Sequence, residues 1–185
     1  GKVGQDGFGR QLAAVAADAG IDLQGLRYDP AVHTTLAIVQ TLPGGDRDFS
    51  FYRKPGADAN LTAADLDREL LQSCRIFHFG TLSLTGKPCR SATREAAALA
   101  KAAGAVISFD PNLRPPLWDD LEEARAQIDW GLAQCDVLKI ADNELLFMTG
   151  QSDFEKGAAI LQKQYPNIRL MNVTAGAQGS YSFCG

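Results

Sequence analysis

Short apolar runs and amphipathic helical stretches alternate along most of the chain, and this alternation constrains the fold more than any other feature. The apolar runs occupy residues 75–80, 105–109, 136–140 and 169–174. Strands separated by helical stretches pair in parallel through right-handed crossovers. The sequence therefore predicts an α/β fold, in which a mostly parallel sheet carries helices on both faces.

The charge balance argues against nucleic-acid and membrane partners. The chain has 18 basic and 22 acidic residues, which are interspersed and give a net charge of -4, so no basic surface is indicated. No apolar run is long enough to span a bilayer.

The four cysteines lie far apart without paired spacing, which favours thiols in a reducing compartment over a zinc site or disulfides. We therefore expect a cytoplasmic chain.

Residues 34–54 are predicted to form a β-hairpin. β-Branched and aromatic residues alternate on either side of the turn-forming residues 43–46. Aromatic side chains fall on both faces, which suggests that a ligand or a second copy of the hairpin covers them. A plain edge hairpin of the main sheet is the alternative. We expect residues 34–54 to form a lid on a core of residues 1–33 and 55–185.

A polar cluster follows the apolar run 105–109. Asp110, Asn112 and Arg114 are held between prolines, which fix the backbone and force the chain out of the sheet in a rigid loop. The loop has two interpretations. In one, Asp110 caps the turn and pairs with Arg114; in the other, the three polar groups bind a ligand.

Two further polar clusters end neighbouring strands. Lys139, Asp142 and Glu144 follow one strand, where they can form a surface ion pair or hold a hydrated Mg²⁺. The segment 174–180 is either a hairpin turn or a glycine-rich phosphate loop. Ligands of parallel sheets bind beyond the carboxyl ends of the strands. Together with the 110–114 loop, these clusters favour phosphoryl transfer at one rim.

Four finer expectations concern packing. Residues 1–9 are glycine-rich with no strand before the helix that follows, so a tight structural turn is expected there. That helix places Phe8, Leu12 and Val15 along one apolar face. Leu70 is predicted to face the core, and His78 is predicted to be a hydrogen-bonded core histidine.

Five segments, taken in order, resemble the ribokinase-like (PfkB) carbohydrate kinases and, within them, most closely the fructokinases. They are Gly4-x-Asp6-x-Phe8-Gly9, Phe51-Tyr52-Arg53, Asp110-Pro111-Asn112-Leu113-Arg114, residues 139–150 and Thr174-x-Gly176-x-x-Gly179. The resemblance implies transfer of the γ-phosphate of ATP to a sugar hydroxyl, most closely that of fructose. It also implies a small β-lid that covers the sugar and forms a homodimer contact.

The resemblance also implies roles for individual residues. Substrate contacts fall to Tyr52 and Arg53 of the lid and to Asp110, Asn112 and Arg114 of the rim loop. Arg114 and Lys139 would stabilise charge on the phosphate. ATP contacts would come from Lys139, Thr174, Gly176 and Gly179. Mg²⁺ would be bound by Glu144 through water and by Asp142.

The sequence departs from the family pattern in two ways. Ala141 stands where many members have asparagine or serine. The family's N-terminal sugar-binding segment and its Gly-Ala-Gly-Asp motif, which supplies the catalytic base, do not occur in these residues. We therefore expect the chain alone to have little or no kinase activity. The alternatives are a non-catalytic sugar-binding or dimerisation module, and a ketodeoxygluconate or ribose kinase.

Overall fold

The computed structural model describes residues 1–43 and 47–185. These residues form two compact units. The first unit contains Gly1–Asp67 and Gly86–Ala92, and the second contains Arg68–Thr85 and Thr93–Gly185. Within the described residues, no helix is long and apolar enough to cross a membrane.

The first unit contains two small sheets and one long helix. Its elements are β1 (Lys2–Gly4), α1 (Gly7–Asp18), β2 (Arg27–Asp29), β3 (Leu36–Thr41) and β4 (Arg47–Tyr52). Strands β1 and β2 pair in parallel. Strands β3 and β4 pair antiparallel, with Leu36 opposite Tyr52, which confirms the predicted hairpin. The predicted turn, residues 43–46, lies outside the described residues from 44 to 46.

The second unit is built on a five-stranded sheet. The remaining helices and strands of the chain are α2 (Arg68–Ser73), β5 (Ile76–Gly80), α3 (Cys89–Ala102), β6 (Val106–Asp110), α4 (Leu121–Gln134), β7 (Val137–Ala141), α5 (Asp142–Thr149), α6 (Phe154–Gln164), β8 (Leu170–Thr174) and β9 (Ser180–Cys184). The strand order is β5-β6-β7-β8-β9. The first four strands are parallel, and β9 is antiparallel to β8. The predicted fold class is confirmed.

One face of this sheet forms the core. Alternate residues of the central strands are completely buried; they are Ile107, Phe109, Leu138, Ile140, Met171 and Val173. Helix α4 packs closely here because Gly131 has no side chain, and a Cβ at that position would lie 2.4 Å from Cζ of Phe109. The alternation of buried and half-buried residues is the pattern that period-two strand geometry produces.

The opposite face of the sheet carries polar pairs between neighbouring strands. Nδ1 of His78 lies 3.0 Å from Oγ of Ser108, and the Ser182 hydroxyl donates to Asn172 at 2.7 Å. The prediction that His78 is a core histidine is wrong, because its strand β5 is at the edge of the sheet and its ring is exposed.

Three expectations about packing are also wrong. A short strand, β1, does precede the glycine-rich turn. Helix α1 exists, but Phe8, Leu12 and Val15 are each more than half exposed, while Gly9 and Ala13 face inward. Small residues point inward because the helix lies against backbone. Leu70 is exposed as well, and its six-residue helix α2 has no buried residue.

Candidate active site

The carboxyl ends of β6 and β7 bring two predicted site residues together. Nζ of Lys139 lies 3.1 Å from Oδ2 and 3.2 Å from Oδ1 of Asp110. Both side chains remain accessible, with Lys139 39% exposed. Oδ1 of Asp110 also accepts a hydrogen bond from the Asn112 amide at 3.1 Å. Asp110 therefore caps its turn, as one interpretation supposed, and forms its ion pair with Lys139 of the next strand.

The loop after β6 is restrained by several hydrogen bonds. The amide and hydroxyl of Thr81 both donate to the carbonyl of Pro111, at 3.1 and 2.6 Å. Asn112 adopts a left-handed conformation with φ of 44°, which asparagine tolerates better than most residues. Nη1 of Arg114 donates to the carbonyl of Leu113. The loop therefore presents its polar groups from a fixed backbone.

A cavity of about 260 Å³ opens beside this loop. It is lined by His78, Gly80, Leu82, Ser83, Asp110 and Asn112. Two of the predicted substrate-binding residues, Asp110 and Asn112, thus share one cavity at the predicted rim. Its walls offer carboxylate, amide and hydroxyl groups, which are the groups that orient a polyhydroxylated ligand.

Glu144 and Asp142 start helix α5 but have different surroundings. Glu144 is only 4% exposed. Its Oε1 accepts from the Leu113 amide at 2.6 Å and its Oε2 from the Ala141 amide at 2.9 Å. The Asp142 side chain is exposed, and it accepts from the Asn143 amide.

Magnesium prefers accessible carboxylate oxygens and keeps several waters. The Glu144 carboxylate is buried and accepts a hydrogen bond at each oxygen, so it does not fit direct coordination of Mg²⁺, whereas the Asp142 carboxylate is accessible. No group of three or more histidine, cysteine, aspartate or glutamate side chains that could hold a metal ion occurs among residues 1–43 and 47–185.

The predicted nucleotide loop joins β8 to β9 as a hairpin. A 3-10 turn spans Gly176–Gln178, and the Ala175 amide donates to the Gly179 carbonyl at 2.9 Å. Gly176 and Gly179 have φ values of 52° and 91°, which disfavour a side chain. Nothing lies within 4 Å of the position that a Cβ would take at either glycine. The backbone of this turn is therefore open to a ligand.

The first unit contains a larger cavity beside the hairpin. It has a volume of about 840 Å³, and its lining includes Asp6, Phe8, Thr34, Phe51, Tyr52 and Arg53. Tyr52 is 62% exposed. The Arg53 side chain is only 8% exposed, and its Nε donates to Oδ2 of Asp58 at 2.7 Å. Oδ1 of Asp58 accepts from the Thr35 hydroxyl. The two predicted lid contacts, Tyr52 and Arg53, therefore line this cavity, and Asp58 orients the Arg53 side chain.

Asp6 lines this cavity, and the sequence indicated no role for it. It accepts 2.8 Å hydrogen bonds from the Gly9 amide and from both the amide and the hydroxyl of Thr34. These bonds lower the pKa of Asp6 from 3.8 to about 2. The bond from the Thr34 amide has the largest effect, and the bond from the Gly9 amide has the next largest. Its place before a helix is a recognisable capping signal.

A second group of charges was also missed. Lys2 contacts Asp65 at 3.0 Å and Asp29 at 3.4 Å, and Asn60 donates to Asp29 at 2.7 Å. Hydrogen bonds lower the pKa of Asp29 to about 2, and the bond from the Ala31 amide has the largest effect. This network ties β1 and β2 to the turns that follow the hairpin. No local pattern could have indicated it, because its members are far apart in sequence.

The protein-family model described as pfkB family carbohydrate kinase matches residues 1–184 of the chain. The chain belongs to the pfkB family of carbohydrate kinases. Among curated pfkB relatives, fructokinase-2 from Solanum lycopersicum is 42% identical over 179 residues, which cover 97% of this chain and 54% of that relative. The pfkB chain therefore spans about half the length of the curated relatives it matches.

Two crystal structures have the same fold as this pfkB chain. A fructokinase from Vibrio cholerae O395, in its fructose, ADP and calcium ion bound form, aligns with a TM-score of 0.88 and 34% identity. A fructokinase from Xylella fastidiosa with bound ATP aligns with a TM-score of 0.87 and 31% identity. The alignments cover all of this chain and 58% of each of those chains.

Proposed function

We propose that the protein carrying these residues is an ATP-dependent sugar kinase that acts on fructose. The observation that carries this proposal is the pair of Lys139 and Asp110, which places an accessible ammonium group beside the restrained 110–114 loop. Family membership and the fructose-, ADP- and ATP-bound relatives support it.

The rim residues suit phosphoryl transfer. Such reactions are accelerated mainly by positioning the reactants and by offsetting charge on the transferred group. We assign this charge stabilisation to Lys139 and Arg114, and sugar contacts to Asp110 and Asn112. We assign no catalytic base within residues 1–185.

ATP contacts are assigned to Lys139 and to the turn formed by Thr174, Gly176 and Gly179, where an open backbone can meet phosphate oxygens. A divalent ion accompanies ADP in the Vibrio relative. For this chain we propose Mg²⁺, with Asp142 as the rim carboxylate accessible to it. Its chemistry there would be to neutralise phosphate charge.

Sugar contacts from the hairpin are assigned to Tyr52 and Arg53, which line the larger cavity. We also propose that the hairpin pairs with its copy in a homodimer. Ile38 and Val39 support this, because successive strand residues point to opposite faces and both are at least half exposed. Apolar surface on both faces of a hairpin favours association.

The proposal is tested by ADP release from a version of the chain extended to the length of its relatives, assayed with fructose, ribose and ketodeoxygluconate. Lys139→Met should lower kcat with fructose by about 100-fold or more. Lys156→Met is the matched control, since Lys156 is 73% exposed on helix α6. Its kcat should be unchanged.

Each other outcome has a defined meaning. If ribose or ketodeoxygluconate is turned over faster than fructose, that sugar is the substrate in place of fructose. Sugar binding without any ADP release would identify a non-catalytic binding module. Equal kcat values for Lys139→Met and the unsubstituted protein would remove Lys139 from the proposed chemistry.

A further inference from the structure

Each carboxylate oxygen of Glu144 accepts a hydrogen bond from a backbone amide. Oε1 accepts from Leu113 at 2.6 Å and Oε2 from Ala141 at 2.9 Å, in a side chain that is 4% exposed. Burial of a carboxylate is unfavourable unless hydrogen bonds replace its lost hydration. Two charge-assisted bonds at the start of helix α5 supply that replacement. The arrangement accounts for a buried charge without any metal.

The two bonds of Glu144 have different roles. The bond to Ala141 spans three residues and is the local half of a capping box. Ala141 has no side-chain acceptor, so the reciprocal half is absent. The bond to Leu113 spans 31 residues and joins helix α5 to the loop after β6. A cap alone needs only the first bond, so the second indicates a role in fixing the loop.

The position of Leu113 makes this contact consequential. Its amide lies between Asn112, whose own amide is held by Asp110, and Arg114, whose side chain donates to the Leu113 carbonyl. Glu144 therefore holds the peptide unit between Asn112 and Leu113, one residue before Arg114.

We propose that Glu144 is a positioning residue that anchors the 110–114 loop through the Leu113 amide, and that it is not a ligand of a metal ion. This assignment replaces the water-mediated Mg²⁺ contact expected from the family resemblance. This inference rests on the proposed function only for the role of Arg114 in stabilising charge during phosphoryl transfer.

The test uses the ¹⁵N-labelled 185-residue chain and NMR, so it does not depend on turnover. In the unsubstituted chain, the Leu113 amide should be protected from hydrogen exchange. Glutamine offers one acceptor oxygen, so Glu144→Gln leaves one of the two amides without a partner. Glu144→Asp keeps the charge but shortens the reach to Leu113. We expect Leu113 protection to fall at least about tenfold in Glu144→Asp, as the loss of a charged hydrogen bond predicts.

A second readout separates positioning of Arg114 from general stability. The Arg114 Nε–H group should become more mobile in both Glu144 variants, as measured by its heteronuclear NOE, while the amides of the central strand β7 keep their protection. Asp142→Asn is the matched control, because it removes a carboxylate two residues earlier in the same helix. It should change neither Leu113 nor Arg114.

Magnesium chloride titration supplies the opposing outcome. We expect Mg²⁺ to leave the Leu113 resonance of the unsubstituted chain unchanged and to shift Ala141 only through its neighbour Asp142, an effect that Asp142→Asn should remove. A saturable shift of both resonances that persists in Asp142→Asn and disappears in Glu144→Gln would overturn the proposal. An unprotected Leu113 amide in the unsubstituted chain would also overturn it, even if no variant folds. Loss of kinase activity in the extended protein bears on the proposed function alone.

Discussion

At the scale of single residues, carboxylates that accept hydrogen bonds from backbone amides define much of the local geometry. Asp6, Asp29 and Glu144 each accept hydrogen bonds from two backbone amides. At Asp6 and Asp29 these bonds lower the pKa of the carboxyl group, so they make the folded state sensitive to acid.

Asp6 should contribute to acid sensitivity within a defined pH range. Its pKa is lowered to about 2 from an ordinary value of 3.8. A lowered pKa in the folded state stabilises the fold above the unfolded value, and this contribution is lost as pH falls from about 4 towards 2. Carboxyl ¹³C NMR should show Asp6 titrating near pH 2. Asp6→Asn should reduce the loss of stability across this range in urea titrations.

The control for Asp6 is Asp18, an exposed carboxylate at the end of the same helix. Asp18→Asn should retain the acid-induced loss of stability. An Asp6 titration close to pH 4 would contradict the assignment.

The polar residues of the rim could be identified from sequence, but their partners could not. Asp110 and its neighbours stood out because prolines isolate them after an apolar run. The sequence left Arg114 as the candidate partner for Asp110, whereas the ion pair forms with Lys139. Adjacent strands in a sheet bring together residues 29 positions apart, and no local pattern specifies that register.

At the scale of elements, the helical period predicted where α1 lies but not which side packs inward. Periodicity favoured the stripe of Phe8, Leu12 and Val15. The inward side is instead formed by Gly9 and Ala13, because the helix lies against the backbone of the turn before it. Strand β1 was missed because it has three residues, too few for a recognisable alternation.

Replacing Gly9 by alanine should therefore destabilise the first unit. A Cβ at Gly9 would lie 2.1 Å from the Gly4 carbonyl oxygen, and so the helix would have to shift. We expect a loss of about 1–3 kcal/mol in the free energy of unfolding, as overpacking usually produces. Urea titration followed by the amide resonances of β1 and β2 measures it.

Gly7 provides the matched control for Gly9. It begins the same helix, and nothing lies within 4 Å of its Cβ position. Gly7→Ala should leave the unfolding free energy unchanged or slightly raise it, because alanine favours helix. Equal losses for the two variants would show that helix packing is not the cause.

At the scale of the whole molecule, the alternation of strands and helices was sufficient to predict the parallel sheet. Right-handed crossovers with neighbouring connections restrict the possible topologies, and the observed order β5-β6-β7-β8-β9 follows the chain. The division of residues 1–92 between two units could not be predicted, because it depends on contacts between distant segments. The division into core and lid at residues 34–54 stays a prediction.

The proposed homodimer is testable at this scale. Sedimentation velocity should show a dimer of the unsubstituted chain and a monomer of Ile38→Asp, because a charge on the hairpin strand disfavours an apolar contact. Ile21→Asp is the control, since Ile21 is 60% exposed elsewhere in the first unit. It should remain dimeric. A monomeric unsubstituted chain at all concentrations would rule the contact out.

The loop that follows β6 is held by Thr81, Asp110 and Glu144, which belong to three different parts of the second unit. Its backbone is therefore ordered by folding itself. A ligand that meets Asn112 and Arg114 does not have to freeze a flexible segment, so little conformational entropy is lost when it binds. Preorganisation of this kind favours fast, tight engagement of a small polar substrate, and it makes the loop's shape a property of the folded protein.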